Sequence, residues 1–516
     1  MAFKKHTGQL VIVAFICVFL MITVIAAVRI DLANDILTNV YVGCEDSNIV
    51  VSWKLPAFNR ASGVLVNIEG NGVSEEQLIS PLNSSYKFTG GVHGDKYTVT
   101  VREIYKNGTE GESVTKEVLY FDEDKIPDIP VLRIETVNHE EPHSQSTEPQ
   151  DDVWGETVTD NEYVEGVMKY TADDSTQIDK QISIRVRGNT SSTGPKKSYK
   201  ITMSKPADML RMGEEYASKE WFLIDQGESM NAYIGEYLSE YCGMEWTVHM
   251  KIVNVIINGD WKGMYYLSEN PKAARSAGYV TKNGFMVEND PYWWKADTVY
   301  FDIDEQEVPM KMTFVYPDIN SADDERIGPV RDYMQFVHNN IYNEDDEALS
   351  YIDTDSFVSW IMVKDLMLVM DGGGSNIYYY VESLDPSDYQ NSKIYIGPVW
   401  DLDSGMKASE KEADPDSYWG SQHTTGWFIY CHLFNLPEFR NAYQNRWNGI
   451  SSGLANDLGQ ELENYYSEHG EAIEASRVLE AARWDKEVVT LREEIDYDKA
   501  FMDKRIAFIC SETGEW

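Results

Sequence analysis

The chain has 516 residues, with 44 Lys and Arg against 86 Asp and Glu, a formal charge of −42. That length holds two or three domains with more than one buried core. The charge repels nucleic acid and anionic lipid and excludes polyanion binding outside local basic patches. Apolar residues at 42% and aromatics at 12% exclude general disorder.

Lys4 and Lys5 precede the uncharged run Leu10–Val28, 19 residues long. As a helix rising about 1.5 Å per residue, such a run nearly crosses a hydrocarbon core of roughly 30 Å. The leading lysines predict that residues 1–30 form a cytoplasmic stub and single-pass anchor in the cell membrane, with the bulk of the chain extracytoplasmic. Cleavage as a signal peptide, leaving a secreted protein, is the alternative, although Ala26-Ala27-Val28 is a poor small-x-small site. Cys17 lies in this run, and Cys44, Cys242, Cys431 and Cys510 lack metal-ligand spacing. Four unpaired buried thiols are expected, with a single disulfide among them as the alternative.

Residues 38–122 read as short strands separated by turns. Asn48–Trp53 and Gly63–Ile68 are apolar runs, Lys96–Tyr105 alternates Tyr97, Val99 and Val101 on one face, and Asn107-Gly108 marks a hairpin. With Trp53 early and Tyr97-x-Val-x-Val late, this segment resembles a fibronectin type III module, which implies a β-sandwich with Trp53 in its core. Ile129–Ile134 predicts a strand, followed by an acidic loop from Asn138 to about Asp160 and a further strand over Tyr163–Tyr170. Strands follow over Ile182–Arg187 and Lys196–Ile201. Met230, Ile234, Leu238 and Tyr241 repeat at helical spacing up to Gly243. Asn258-Gly259-Asp260 is a hairpin turn between two apolar runs. Asp355 or Ser356 is placed to cap a helix running through Val369 toward Asp371, and the chain after about 405 reads as mostly helical. No internal repeat is evident.

Two constellations carry chemistry. Asp371 and Asn376 are separated by five positions at a helix end, and Asp401 and Asp403 follow the short apolar run Gly397-Pro-Val-Trp. Phosphoryl transfer needs a carboxylate at the attacking hydroxyl, and an amide and a second carboxylate at the metal that neutralises the phosphates. Protein kinases place these parts in the same order along the chain. Hard oxygen ligands without His or Cys suit Mg²⁺ or Mn²⁺. The second constellation is Arg185-Val-Arg187-Gly188-Asn189-Thr-Ser191-Ser192 followed by Lys196, Lys197 and Lys200, an exceptional basic concentration in so acidic a chain. Its glycine-bearing turn presents backbone N–H groups beside cations that match phosphate charge.

At these residues the chain resembles the CotH family, the kinases related to spore coat protein H. The matching words are Arg187–Ser192 with Pro195–Tyr199; Asn258–Glu269; Asp371 with Asn376–Tyr380; Gly397–Asp403; and Leu433–Arg440. They occur in the family's order, and the resemblance covers residues 126–450.

The resemblance implies an α+β, atypical protein-kinase-like fold over residues 126–516. A mixed or antiparallel sheet lobe precedes a helical lobe, behind the sandwich and the single N-terminal transmembrane helix. It implies transfer of the γ-phosphate of ATP to Ser/Thr of secreted or surface proteins. Asp371 becomes the catalytic acid, with Asn376, Asp401 and Asp403 as metal contacts. Arg187, Gly188, Asn189, Ser191, Ser192, Lys196, Lys197, Lys200 and Glu269 become nucleotide contacts, with Lys197 the first choice for the phosphates. Glu236 is one candidate partner for the phosphate lysine. The chain departs from the family at Gly372-Gly373-Gly374, where members commonly carry a basic or aromatic residue. Glycines supply no cation, so a catalytically weak scaffold of a surface coat or assembly is the alternative. A carbohydrate-active enzyme, built on paired acids among Trp and Tyr, is a third reading.

Overall fold

The computed structural model describes residues 37–514, apart from 56–60, 144, 147–158, 161, 189–191, 193, 228, 274–277, 291–292, 294–297, 305–309, 370–375, 407–414 and 416–428. Its first unit is a sandwich of seven strands: β1 (Thr38–Glu45), β2 (Asn48–Lys54), β3 (Ala61–Gly70), β4 (Val73–Ile79), β5 (Ser85–Phe88), β6 (Lys96–Tyr105) and β7 (Glu110–Leu119). They form sheets in the orders β1-β2-β5 and β4-β3-β6-β7. Alternation builds the core: Tyr97, Val99 and Val101 of β6 are fully buried, and Trp53 packs with them. The same core takes in Ile256, Trp261 and Leu479 from far along the chain. Phe121 meets Trp261 at 5.9 Å between ring centroids, and the Cys44 amide donates to the Gly259 carbonyl at 2.7 Å. Shared apolar packing thus fuses the sandwich to the later part of the chain.

Next come β8 (Val131–Thr136), a two-residue ribbon of β9 (Gln145–Ser146) and β10 (Thr159–Asp160), β11 (Val164–Thr171), β12 (Gln177–Arg187), β13 (Ser198–Ala207) and β14 (Ser218–Ile224). Helix α1 (Asn231–Tyr241) separates β14 from the hairpin of β15 (Met250–Ile257) and β16 (Asp260–Ser268). The two-residue loop Asn258-Gly259 has φ of 50° and 70°, the left-handed pair such a tight turn needs. Seven strands close a barrel in the order β11-β12-β13-β14-β16-β15-β8. Closure depends on β8, which pairs antiparallel with β11 and parallel with β15. The barrel interior is filled by side chains such as Ile134, Met168, Tyr170, Ile184, Ile201 and Trp221.

A second sheet, in the order β18-β19-β17-β20-β21, uses β17 (Phe285–Asn289), β18 (Tyr300–Ile303), β19 (Met310–Tyr316), β20 (Ile377–Val381) and β21 (Tyr395–Ile396). It shares a large core with the helices α2 (Ile327–Tyr342), α3 (Thr354–Met367), α4 (Ile429–Asn435), α5 (Pro437–Trp484) and α6 (Leu491–Thr513). In α3 every residue from Ser356 to Met367 is buried, so this helix forms the centre of the unit.

Several expectations are corrected. The protein-kinase-like arrangement of one open sheet lobe and one helical lobe gives way to a closed barrel, a separate five-stranded sheet and long helices, a mixed α/β architecture. The parallel β8–β15 pairing that closes the barrel joins segments distant in sequence. The single-pass membrane protein is corrected as well: among the described residues no helix is long and apolar enough to cross a membrane. The longest, α5 at 48 residues, carries Glu and Arg throughout, and the run Leu10–Val28 lies outside the described residues. The cap of α3 is Asp353, whose carboxylate accepts the Ser356 amide at 2.9 Å, and the helix stops at Met367 because Leu368 turns left-handed. Cys44 and Cys242 are free and buried, but Cys431 is half-buried and Cys510 exposed.

Candidate functional site

The apolar run Gly397-Pro-Val-Trp leads into a turn at Asp401 that faces the start of β20. Asn376, one residue before β20, donates from Nδ2 to Asp401 Oδ2 at 2.6 Å. Both residues hold left-handed φ values, 60° and 58°. Asn and Asp enter this region more readily than other non-glycine residues, and the surrounding contacts select it at both positions.

Those contacts come from the helices. Buried Lys364, near the end of α3, donates from Nζ to the Trp400 carbonyl at 3.0 Å. The Met406 amide donates to the Met367 carbonyl at 2.8 Å. Asp365 is pinned in turn, accepting the Tyr443 hydroxyl at 2.9 Å on its carboxylate and Arg505 Nε at 2.6 Å on its carbonyl. The end of α3 and the Asp401 turn therefore move as one body.

From the barrel side, Arg187 ends β12 and lays its guanidinium 4.5 Å from the Phe222 ring centroid and 5.8 Å from that of Trp400. Burial lowers its pKa, while Asp401, Tyr378 and Asp225 act in the opposite direction; the group stays charged. Arg187 makes no salt bridge to any described residue. Gly188 follows with φ of 97°, a conformation open to glycine. Lys197 reaches back to the Ser192 carbonyl at 2.6 Å. Burial lowers the pKa of its ammonium against the opposing charge of Asp225. Asp225 is fixed by the Ser198 hydroxyl at 2.7 Å, and Gln226 beside it donates to Asp403 at 2.9 Å. Arg187, Lys197, Asn376, Asp401 and Asp403 thus gather where the barrel meets the Asp401 turn.

Other expected contacts lie elsewhere. Lys196 precedes β13 instead of lying in it and is buried, its Nζ 2.8 Å from Glu480 Oε1 and 2.8 Å from the Met264 carbonyl. Its carboxylate partner is Glu480 of α5, not Glu236. Lys200 pairs with Glu220 at 2.6 Å on the barrel wall. Glu269 accepts the His249 amide at 3.0 Å and its ring Nδ1 at 2.8 Å, so it is turned to that histidine. Glu236 accepts the Met250 amide at 3.0 Å. Asp371, Asn189 and Ser191 lie outside the described residues.

Sequence reasoning passes over Glu480, Phe222 and Lys364. Only Lys364, which with Asp365 interrupts the apolar run from Trp360 to Met367, carries a local signal.

Among the described residues no group of three or more His, Cys, Asp or Glu is gathered as a metal cage. Asp401 and Asn376 still suit a hard divalent cation, because one carries a carboxylate and the other an amide oxygen; the 2.6 Å contact between them is made by the amide nitrogen, which a cation on Asp401 Oδ2 would displace. Mg²⁺ in nucleotide sites is held by only one or two carboxylates, with phosphates and water completing the shell.

No curated protein matches this chain. Among solved structures, an FN3 domain of human collagen XX is 23% identical with a TM-score of 0.13, covering 16% of this chain and 88% of that one. The twitchin kinase region of C. elegans is 11% identical with a TM-score of 0.17, covering 40% of this chain and 44% of that one. Neither likeness is strong enough to bear on the fold. The match to a family is of another order: residues 184–509, more than half of the chain, match the family described as CotH kinase protein, and this chain belongs to the CotH family.

Proposed function

We propose that this CotH kinase transfers the γ-phosphoryl group of ATP to a serine or threonine hydroxyl of an acceptor protein. The observation that carries the reading is the Asn376–Asp401 contact at 2.6 Å, with both residues held left-handed in the field of Arg187. Asp401 and Asn376 are the residues to hold a divalent cation, Mg²⁺ or Mn²⁺. That cation supplies charge neutralisation on the phosphates.

The chain's own groups do the rest. Arg187, kept in place by two rings, and Lys197, on the turn after β12, present cations to the phosphate oxygens. Asp371 orients the acceptor hydroxyl and receives its proton as the oxygen bonds to the γ-phosphorus. The bond from that phosphorus to the bridging oxygen breaks, and ADP leaves with the electron pair. Phe222 and Trp400 exclude water from the Arg187 side. Asp403, exposed and held by Gln226, is placed to add a second oxygen beside Asp401. The charge of −42 favours a protein over a nucleic acid as acceptor.

The test is transfer of labelled γ-phosphate with Mg²⁺ or Mn²⁺, in the wild type and in Asp401→Ala. A loss of about a thousandfold is expected on substitution. Labelling that survives Asp401→Ala removes the assigned role of that carboxylate. Nucleotide binding without any transfer favours the scaffold reading, for which Gly372-Gly373-Gly374 gives a reason: the loop supplies no cation of its own.

A further inference from the structure

The turn carrying Asp401 is gripped from two directions, and only one of them is the helix that leads to Asp371. The other is α1, whose first residue, Asn231, is buried against the turn. Its Nδ2 donates to the Leu402 carbonyl at 3.1 Å and to the Gly405 carbonyl at 2.9 Å. One amide nitrogen has two N–H groups, and here both are used to span the turn. Leu402 lies between Asp401 and Asp403, so the bonded carbonyl belongs to the residue after the cation-binding carboxylate.

One helical turn further along the same face is Gly235. A Cβ built there would stand 1.8 Å from Leu402 Cδ1, so the leucine side chain occupies the space that any other residue would fill. The pair Asn231 and Gly235 therefore fixes Leu402 at both its backbone and its side chain. Helix α1 is itself anchored: the Met230 amide donates to Glu494 Oε1 at 2.8 Å, and Glu494 is paired with Arg477 of α5.

We propose that Asn231 is a positioning residue that holds Asp401 in its left-handed conformation for the divalent cation, with Gly235 admitting Leu402 to complete the grip. This rests on reading Asp401 as a cation ligand. Aspartate enters the left-handed region more readily than most residues, and at Asp401 contacts on both sides hold it there, at φ of 58°. Lys364 supplies one at Trp400, and Asn231 supplies the other at Leu402. Aspartate at 231 would set a carboxylate against two carbonyl oxygens and reverse the attraction.

The experiment measures Mn²⁺ binding to the full chain by electron paramagnetic resonance, with MnCl₂ alone and no nucleotide, alongside thermal melting. Outer contacts that orient a metal ligand typically set 10- to 100-fold in affinity, so Asn231→Ala and Asn231→Asp are expected to weaken Mn²⁺ by about that factor. In the transfer assay the Mn²⁺ concentration for half-maximal rate should rise by the same factor, with the KM for ATP unchanged at saturating metal. Gly235→Ala removes no hydrogen bond and raises helix propensity. It should nonetheless weaken Mn²⁺ similarly by displacing Leu402, and it keeps the question open to test if the Asn231 variants do not fold. Asn231 and Gly235 variants that bind Mn²⁺ like the wild type, while Asp401→Ala does not, would overturn the positioning role and leave the Asp401 reading intact. Asp401→Ala binding Mn²⁺ like the wild type would instead overturn the reading beneath it, and the proposal with it.

Discussion

Two parts of the barrel surface use the same residue types to opposite ends. Where α5 packs on β16, charge is sealed inside: Lys196 and Glu480 meet at 2.8 Å with side chains 5% and 3% exposed. Beside them Asp260 takes both Lys262 and Arg483, each at 2.8 Å. Where the barrel meets the Asp401 turn, cations rest on rings and carbonyls instead. Arg187 lies on Phe222 and Trp400, and Lys197 on the Ser192 carbonyl. Lys196 and Lys197 are neighbours in sequence, yet one is committed to the interior and the other to the side that meets the Asp401 turn. A ligand anion competes easily with a carbonyl, but opening a buried ion pair leaves a charge uncompensated.

The largest expected effect comes from breaking the sealed side. Glu480→Ala strands the Lys196 ammonium and removes the acceptor of the Met264 amide. A loss of about 3–5 kcal/mol is expected in denaturant unfolding. The double variant Lys196→Met, Glu480→Leu should recover the part due to the stranded charge, since apolar groups of similar volume replace the pair, but not the part due to the Met264 amide, which still lacks its acceptor. A loss under about 1 kcal/mol for Glu480→Ala would mean that water reaches the pair and that the contrast between the two regions is not real.

This contrast is out of reach of local sequence patterns. Periodicity predicts α1 as Met230–Tyr241, and the structure begins it at Asn231; the Asn258-Gly259 turn is legible because left-handed pairs favour those two residues. The words around Asn376 and Asp401 point to one another because a strand follows the first and an apolar run precedes the second. Nothing near Lys196 marks it as the partner of a glutamate on the far helix α5, and nothing in Ile129–Ile134 says that it closes a barrel through a parallel pairing. Both depend on contacts between segments more than a hundred residues apart. Trp261 likewise reads as an ordinary strand residue, although it completes the core of the sandwich.

A smaller effect tests the part of α1 that faces away from Asp401. Glu236 is placed between α1 and β15, with Glu240, Glu269 and His249 around it, and burial pushes its carboxyl up to about 7 from 4.5, with His249 opposing. Between those values the folded chain binds a proton that the unfolded chain has released. Stability therefore falls as pH rises from about 4.5 to about 7 and is level above that, by up to about 3 kcal/mol. His249 adds to the slope. Burial lowers its pKa, but Glu269, Glu236 and Glu240 raise it further, and that stabilisation is lost as pH climbs past its raised value. Glu236→Gln keeps an acceptor for the Met250 amide and should flatten melting temperature between pH 5 and 7. An unchanged slope would show that Glu236 is ionised in the fold.

On the side of the Asp401 turn, Arg187→Ala removes a cation that makes no salt bridge to any described residue. Because its packing is on ring faces, unfolding should change by only about 1 kcal/mol. The KM for ATP should rise about tenfold, the scale of one charge-assisted phosphate contact. A stability loss as large as that of Glu480→Ala, with KM unmoved, would place Arg187 on the structural side of the comparison.

The finest discrimination lies in Lys200, three residues beyond Lys197. Its ammonium is given to Glu220 at 2.6 Å on the outer wall of β13 and β14, with side chains 18% and 37% exposed. A pair at that exposure contributes about 0–1 kcal/mol, since solvent screens it and two long side chains lose freedom. Lys200→Ala should therefore cost at most that much and leave the KM for ATP where it was. Lys197→Ala, measured beside it, should raise KM by severalfold without affecting melting. If the two variants exchange roles, the phosphates lie on the outer wall beside Lys200 and not under the turn after β12.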